Sequence, residues 1–312
     1  MKMLMSKEAD PVKKAAFLVA LQMKGPTREE IAALAGAMRS HAKIIHPLRE
    51  PLVDTCGTGG DSSNTFNIST AAAFIAAGAG VTIAKHGNRS VSSACGSADV
   101  LETLGVGMLQ PEAVERCIDQ IGIGFMFAPY FHPAMKNVAE VRKLLETRTI
   151  FNILGPLANP AGASAQVLGV FDPNLREVMA NVLLDLGTER ALVVHSNGMD
   201  EIGLGCTIIS ELRDGMVTTR EIDAVGFGIA GGAVPKVASK EESASVIWSV
   251  LNGDRGPARD ISMLNAAAAI YVAGAADSIT DGLRLARDSI DSGAAMAKLE
   301  ALREFTQRFS HD

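Results

Sequence analysis

The feature that most constrains this chain is an alternation of short apolar runs with segments of helical length. The apolar runs have the length of buried strands rather than of helices. They lie at residues 52–53, 81–84, 124–128, 166–170 and 191–195. Helical segments separate them, and such alternation is typical of an α/β fold with a central, mostly parallel sheet. Residues 208–212 and 216–220, joined by Asp214-Gly215, have the pattern of a hairpin.

Helical patterns outside this alternation predict a second, smaller domain. Residues 11–46 contain two such patterns, and Thr27 with Glu30 fits a capping box at the start of the second. Residues 133–145 also have a helical pattern, and they interrupt the alternation. We therefore expect a small all-helical domain, residues 1–48 with 133–152, beside a large α/β domain, residues 49–132 with 153–312.

The composition excludes several classes of protein. Hydrophobic residues make up 47% of the 312 positions, so a sizeable core can form and global disorder is excluded. The net charge of −6 argues against nucleic-acid binding through bulk charge. The four cysteines form no C-x-x-C pair, which favours reduced thiols over a zinc site or a disulfide framework. No stretch has the pattern of a membrane span or an export signal, so we expect a cytoplasmic protein.

Several predicted strands end directly in polar sequence, and in open α/β sheets ligands bind at such ends. The turn Gly57-Thr58-Gly59-Gly60 can present backbone N–H groups to an anion, although a plain strand-to-helix turn explains it equally well. Asn67-Ile68-Ser69-Thr70 stands where the next helix begins. Its side chains could cap that helix or could join the helix N–H groups in binding phosphate.

The segment Lys85-His86-Gly87-Asn88-Arg89-Ser90 combines two cations with an imidazole, an amide and a glycine, and it is expected to belong to a turn that reaches Ser93. In an acidic chain this cationic cluster favours a small anionic metabolite, and a solvated basic turn is the alternative. Asp200-Glu201 could hold Mg²⁺ together with substrate phosphates, or could be surface acids. Arg142 could bind a substrate carboxylate, or could form an ordinary ion pair.

Together these motifs resemble the anthranilate phosphoribosyltransferase family, over nearly the whole chain from about residue 15. The motifs are Gly57-Thr58-Gly59-Gly60-Asp61, Asn67-Ile68-Ser69-Thr70, Lys85-His86-Gly87-Asn88-Arg89, Gly96-Ser97-Ala98-Asp99, Phe131-His132-Pro133, Arg148-Thr149-Ile150-Phe151-Asn152, Gly155-Pro156-Leu157 and Asp200-Glu201. The resemblance implies a small helical domain plus a large α/β domain, with the active site at the hinge. It also implies that phosphoribose passes from 5-phosphoribosyl 1-diphosphate to the amino group of anthranilate, a step of tryptophan biosynthesis that usually involves two Mg²⁺ ions.

The resemblance further implies roles for individual residues. The phosphoribosyl donor would be held by Gly57, Gly60, Asp61, Thr65, Asn67, Ile68, Ser69, Thr70, Lys85, His86, Gly87, Asn88, Arg89, Ser90, Val91, Ser92, Ser93 and Ser97. Magnesium would be bound by Ser69, Asp200 and Glu201, and anthranilate would contact the Gly57 backbone, Asn88 and Arg142. No residue is expected to act as general acid or base, because an aromatic amine is already neutral at pH 7. Charge stabilisation, with Lys85 as one contributor, is expected instead.

Two other functions stay open as alternatives. A pyrimidine nucleoside phosphorylase shares the fold class, but its phosphate-binding sequences differ from Lys85-His86-Gly87-Asn88. A non-catalytic, nucleic-acid-binding relative of the fold is opposed by the Asp200-Glu201 pair and by the acidic net charge. Family members usually carry a further helix before the equivalent of residues 11–23, where only residues 1–10 stand here. Because that end contributes to a homodimer in relatives, the implied homodimer depends on whether the short N-terminus suffices.

Overall fold

The computed structural model describes residues 1–61, 63–90 and 95–309, and its centre is a seven-stranded sheet. The strands are β1 (Leu52–Gly57), β2 (Thr82–Gly87), β3 (Ile123–Phe127), β4 (Ala165–Gly169), β5 (Arg190–His195), β6 (Cys206–Arg213) and β7 (Met216–Asp223). Their order across the sheet is β3-β2-β1-β4-β5-β6-β7. The first five strands run parallel, and the β6–β7 hairpin is antiparallel at one edge. The predicted fold class is therefore confirmed.

Fourteen α-helices accompany the sheet within the described residues. They are α1 (Lys2–Met5), α2 (Pro11–Lys24), α3 (Arg28–Arg39), α4 (Ile68–Gly78), α5 (Ser97–Thr103), α6 (Pro111–Ile121), α7 (Ala128–Phe131), α8 (Lys136–Leu145), α9 (Phe151–Leu154), α10 (Leu175–Asp185), α11 (Lys240–Leu251), α12 (Pro257–Val272), α13 (Ile279–Asp291) and α14 (Ala294–Phe309). Short 3₁₀ turns lie at Pro133–Met135, Gly155–Leu157 and Ala224–Phe227. Among these helices none is long and apolar enough to span a bilayer. All four cysteines are free thiols.

Two apolar cores lie on the two faces of the sheet. On one face, α4 packs against α12, α13 and α14. The side chains of α4 are mostly small, α12 contains a run of four alanines, and from Ile261 to Val272 every residue of α12 is buried. Small side chains allow the two helix backbones to approach closely. The sheet therefore rests on a helix pair that has little room to move.

The N-terminal helices share the second core with α10 and the opposite face of the sheet. Leu4, Leu18, Ile31 and Val138 are buried there, so that α1, α2, α3 and α8 form one helical unit. Arg39 extends this contact because its guanidinium donates to the carbonyl of Leu157 at 2.6 Å. Residues 1–10 contribute a short helix to this core. The expected helical domain thus exists and packs directly on the α/β domain.

The structure corrects the sequence-based boundaries at the second strand. The prediction that Lys85, His86 and Gly87 belong to a turn is wrong, because β2 continues through Gly87 and pairs with β3 up to Phe127. The polar side chains do not end the strand, because its backbone continues to pair with β3 in the sheet. Five helices, α1, α7, α9, α10 and α11, were not predicted individually. Most of the other elements lie within a few residues of their expected positions.

Candidate active site

The glycine-rich turn after β1 is held in place by its neighbours. Gly59 and Gly60 have φ values of +65° and +72°, which side chains rarely tolerate. The N–H of Thr58 donates to the carbonyl of Gly169 on β4 at 2.9 Å, and its hydroxyl accepts from the N–H of Phe171 at 3.0 Å. The turn is thus fixed to the end of the neighbouring strand, with its glycines at the carboxyl edge of the sheet.

The loop after β5 lies directly on this turn. Its Asp200 carboxylate accepts from the N–H of Gly59 at 2.8 Å. A Cβ atom on Gly57 would collide with the Asp200 carboxylate, and one on Gly169 would collide with the Asp200 carbonyl. Both positions therefore require glycine because a second segment of chain occupies the space above them. This contact joins the ends of β1, β4 and β5.

Lys85 reaches from the end of β2 to the start of α4. Its ammonium donates to the carbonyl and hydroxyl oxygens of Thr55, and to the Ser69 hydroxyl at 3.3 Å. Lys85 is only 4% exposed, and this burial lowers its pKa. A buried cation in contact with a helix start is suited to meet an anionic ligand there.

Glu201 places a carboxylate at the same helix start. It accepts from the backbone N–H of Ser69 at 3.1 Å, while the N–H of Asp200 lies 3.4 Å from the Asp61 carboxylate. Burial, together with the charge of Asp61, raises the pKa of Asp200 to about 7. Burial and the charge of Asp200 raise the pKa of Glu201 well above its usual range. Three carboxylates thus crowd the edge of the sheet next to the glycine turn.

Asp54 supports this edge from beneath. It is fully buried in β1, and its carboxylate accepts from the N–H of His86 at 3.1 Å and from the Asn159 amide at 2.7 Å. Asn159 also donates to the carbonyl of Ala84 at 2.9 Å. Burial raises the pKa of Asp54. The network ties the end of β2, and with it Lys85, to β1.

Two buried histidines lie where the α/β domain meets the segment that leads into α8. The rings of His86 and His132 are 5.1 Å apart, and each side chain is at most 6% exposed. Burial lowers the pKa of His86 to about 3 and that of His132 to about 4. Their Nε2 atoms have no hydrogen-bond partner within the described part of the chain. Both rings are therefore neutral at physiological pH.

Arg89 is bonded to two acids of α5. Its guanidinium forms a bidentate pair with Glu102, at 2.7 and 2.6 Å, and a further bond with Asp99 at 3.0 Å. It also lies 5.5 Å from the centroid of the Phe127 ring. The structure thus places this predicted donor-binding cation against α5, engaged with acids.

The rest of this loop folds onto the start of α5. The Ser97 hydroxyl donates to the carbonyl of Asn88 at 3.3 Å. The Asp99 carboxylate accepts from the N–H groups of Ser90 and Gly96, both at 3.0 Å. The other predicted members, Val91, Ser92 and Ser93, lie outside the described residues.

The predicted residues around the start of α4 differ in how they are used. Asn67 is held by α11, because its N–H donates to the Ser243 hydroxyl at 3.0 Å and its Oδ1 accepts from that hydroxyl at 2.8 Å. Thr65 forms an isolated bridge with Lys236. Ile68 and Thr70 are buried. Of this group, Ser69 alone is bonded to both Lys85 and Glu201 within the part of the chain that the structure describes.

Arg142 lies on α8, in the helical domain. Its guanidinium is stacked 5.3 Å from the centroid of the Phe151 ring. Burial lowers its pKa, and among the described residues no carboxylate pairs with it. A guanidinium without an acidic partner is suited to bind a carboxylate from outside the protein.

Several residues that build the site were not predicted as site residues. Arg148 donates to the carbonyl of Gly60 and stacks 3.9 Å from the centroid of the Phe171 ring, so the segment after α8 touches the glycine turn. Asp54 could have been noticed as a lone carboxylate inside an apolar strand. Asn159 and Asn265 gave no signal, because their partners are distant in sequence.

The acidic residues fit a hydrated divalent cation rather than an all-protein metal cage. Within the described ranges, no group of three or more His, Cys, Asp or Glu side chains is arranged to hold a metal. Burial and the charge of Asp61 nevertheless raise the pKa of Asp200, and burial and the charge of Asp200 raise that of Glu201. A divalent cation would offset these effects. Mg²⁺ typically takes one or two carboxylates and completes its shell with water and substrate phosphates.

The fold and the polar site at the carboxyl edge of the sheet match those of a family of glycosyl transferases. The α/β domain of the "Glycosyl transferase family" matches residues 49–296, and the helical bundle domain of the same family matches residues 1–42. Both matches agree with the two domains seen in the structure.

Curated relatives and solved structures narrow the class. Anthranilate phosphoribosyltransferase of Symbiobacterium thermophilum is 53% identical over 99% of this chain and 92% of its own, and that of Methanocorpusculum labreanum is 57% identical over 92% and 86%. The chain belongs to the anthranilate phosphoribosyltransferase family. The crystal structure of the Thermus thermophilus member has a TM-score of 0.94 at 44% identity, covering 98% of this chain and 93% of that one. The Saccharomyces cerevisiae enzyme in complex with PRPP and Mg has a TM-score of 0.88 at 29% identity, covering 96% and 86%.

These comparisons confirm the resemblance found in the sequence, and with it the expectation of a pentosyltransferase. The yeast enzyme is also known in complex with 4-fluoroanthranilate, at a TM-score of 0.86, 28% identity and coverage of 96% of this chain and 85% of that one. The phosphorylase and nucleic-acid-binding alternatives are not favoured by any of these relatives.

Proposed function

We propose that this chain transfers phosphoribose from 5-phosphoribosyl 1-diphosphate to the amino group of anthranilate and releases diphosphate, in tryptophan biosynthesis. The observation that carries the proposal is the meeting of Lys85, Ser69 and Glu201 at one helix start. They come from three separate parts of the chain and lie beside the glycine turn. A cation, a hydroxyl, a carboxylate and backbone N–H groups are what a metal-bound sugar polyphosphate needs.

The donor side would stabilise the charge that develops on the leaving group. When the ribosyl–diphosphate bond breaks, negative charge grows on the diphosphate and positive charge on the sugar. The Lys85 ammonium and the turn around Gly57 and Gly60 are fixed before the reaction, so they stabilise that negative charge without reorganising. The remaining donor-side residues of the sequence analysis are proposed to shape the pocket around sugar and phosphate.

Ser69, Asp200 and Glu201 are the residues proposed to hold magnesium, in two ions per subunit. Burial and a neighbouring carboxylate raise the pKa values of both carboxyls, Asp61 acting on Asp200 and Asp200 on Glu201, and a bound cation would offset both effects. When bound, the metal supplies charge neutralisation on the diphosphate. Asp61, next to Asp200, would add to the negative charge that attracts the cation.

The acceptor side would orient anthranilate. Arg142 is proposed to bind its carboxylate, with Asn88 and the Gly57 backbone as further contacts. The amine is neutral at pH 7 and needs no base to attack, which agrees with neutral His86 and His132 at the boundary. Catalysis would therefore come from positioning and electrostatics.

The proposal includes the architecture that this chemistry uses. Residues 1–48 with 133–152 would act as the helical domain, and residues 49–132 with 153–312 as the donor-binding domain. The hinge between them would carry the active site. A homodimer in the cytoplasm, without nucleic-acid or membrane partners, completes the proposal.

The direct test mixes the protein with Mg²⁺, 5-phosphoribosyl 1-diphosphate and anthranilate, and follows the loss of anthranilate fluorescence. We expect turnover that depends on magnesium. Asp200→Asn combined with Glu201→Gln should abolish most of this turnover while the circular dichroism spectrum stays unchanged. Absence of turnover by the wild-type protein at every magnesium concentration would overturn the proposal.

A further inference from the structure

Asn265 holds the backbone next to the acidic pair. It lies in α12, is 2% exposed, and its Oδ1 accepts from the N–H of Ile202 at 3.0 Å. Its Nδ2 donates to the carbonyl of Ile202 and to that of Ile261, each at 2.9 Å. One side chain thus occupies both backbone hydrogen-bonding groups of the residue that follows Glu201.

The contact joins a loop to a rigid support. From Ile261 to Val272 every residue of α12 is buried, so Asn265 has almost no freedom to move. The segment is fixed again one residue later, where the N–H of Gly203 donates to the buried hydroxyl of Thr207 at 3.1 Å. Both the N–H and the carbonyl of Ile202 are bonded to Asn265, and the N–H of Gly203 is bonded to Thr207. These bonds fix the position of the loop relative to α12.

This geometry has a consequence for the carboxylates. Asp200 and Glu201 each have one oxygen bonded to a backbone N–H, from Gly59 and Ser69 respectively. The Asp61 carboxylate lies close to the same loop, 3.4 Å from the N–H of Asp200, and neighbouring carboxylates repel each other, so a loop free to move would separate them. Asn265 opposes that movement by fixing the next peptide groups.

We infer that Asn265 is a positioning residue that holds Asp200 and Glu201 in the geometry required for divalent-cation and donor binding. The inference rests on the proposed function of that pair. Asn265 itself lies beneath the loop and acts through Ile202. Residues that orient the ligands of a metal typically affect metal affinity by about 10- to 100-fold when they are removed.

The test compares Asn265→Ala with Ser262→Ala, a matched change one helical turn earlier in α12. Ser262 is fully buried and its hydroxyl donates to the carbonyl of Ala258 at 2.7 Å, inside the helix and away from the loop. Donor binding is measured by calorimetry with 5-phosphoribosyl 1-diphosphate at a series of Mg²⁺ concentrations, and thermal unfolding is recorded for each variant. We expect the Mg²⁺ concentration for half-maximal donor binding to rise about tenfold in Asn265→Ala. In Ser262→Ala it should stay at the wild-type value.

Asn265→Asp provides a second variant of the same size, should the alanine variant fail to fold. It keeps an acceptor for the N–H of Ile202 but turns a carboxyl oxygen toward the carbonyls of Ile202 and Ile261. A rise in the half-maximal Mg²⁺ concentration at least as large as in Asn265→Ala is therefore expected. Equal Mg²⁺ dependence in the wild type and the folded Asn265 variants would overturn the inference. A wild-type protein that binds no donor at any Mg²⁺ concentration would instead overturn the proposed function.

Discussion

The two sides of the proposed active site differ in how far the chain's own hydrogen bonds assemble them. On the donor side, hydrogen bonds already connect Lys85 to Ser69 and Ser69 to Glu201, and the glycine turn is bonded to Asp200. On the acceptor side, Arg142 is stacked on Phe151, in the segment that follows its own helix.

The difference follows from the elements that carry each side. The donor side is built from the carboxyl ends of adjacent strands, which the sheet ladder brings together before any ligand is present. The acceptor side depends on α8, which packs against α1 and α2 and is followed by Arg148, whose guanidinium contacts the glycine turn. Donor binding should therefore be governed by preorganised charge, and acceptor binding by the placement of one domain against the other.

Removing the Lys85 charge should have the largest effect. Lys85→Met keeps much of the side-chain volume, and we expect kcat/KM to fall by about 10²- to 10³-fold, as for the loss of one preorganised electrostatic contact. Steady-state kinetics measure this. Lys298→Met is the control, since the Lys298 ammonium also binds a backbone carbonyl, that of Ile121 at 2.5 Å, but lies outside the site. A similar loss of kcat/KM in both variants would show that the Lys85 charge has no special role on the donor side.

Arg142→Ala should affect the other side selectively. Loss of a charge-assisted contact with a carboxylate is worth about 1.5–3 kcal/mol, so the KM for anthranilate should rise by about 10- to 100-fold. The KM for the donor should change little. Lys143→Ala removes an exposed neighbouring charge and serves as the control. Equal increases in both KM values would show that Arg142 does not bind the acceptor.

The histidine pair between the two sides makes a pH-dependent prediction. His132 is neutral in the folded chain, with its pKa lowered to about 4, whereas the unfolded chain binds a proton near pH 6.5. Its contribution is constant above pH 6.5 and becomes unfavourable as the pH falls towards 4. Relative to wild type, His132→Gln should therefore gain about 2 kcal/mol of unfolding free energy between pH 8 and pH 5.

Urea unfolding at the two pH values measures this gain. The difference from wild type carries the test, because Asp200 and Glu201, with raised pKa values, titrate in the opposite sense. His41→Gln, a change at an exposed histidine, should show no such gain. A pH-independent difference for His132→Gln would mean that this histidine is not buried as a neutral group.

The smallest effect is expected at the contact between the interdomain segment and the glycine turn. Arg148 is exposed, so its stacking and hydrogen bond are worth about 0.5–1 kcal/mol. Arg148→Ala should raise the KM for the donor by about two- to fivefold and leave that for anthranilate unchanged. Arg148→Lys keeps the charge without the planar stacking, and it should resemble the alanine variant. An unchanged donor KM would remove Arg148 from the description of the donor side.

The sequence predicted the donor-side residues better than the buried residues that hold them in place. Gly57, Lys85 and Glu201 could be identified because each belongs to a short contiguous motif at a strand end. Asp54, Asn159 and Asn265 act through partners that are 32 to 105 residues away, such as His86 and Ile202, and no local pattern encodes those contacts. The fold class followed from the alternation of strands and helices.

The pairing of Arg89 could not be foreseen for a related reason. The resemblance implies that this cation binds the donor, but Glu102 of α5 offers it a bidentate partner. The sequence pattern places the end of β2 too early, because polar residues such as Lys85 and His86 are typical of a turn. There, the buried Asp54 carboxylate satisfies the His86 N–H and allows the strand to continue.

Gly169 shows how the bare surface of a strand can matter as much as a side chain. Because Gly169 has no side chain, the backbone of Asp200 can pack directly against the strand at this position. A mutational scan of this enzyme would therefore score position 169 as intolerant as any ligand-binding position. The cause would be the steric clash of a Cβ atom with the Asp200 backbone, and not the loss of a contact with either substrate.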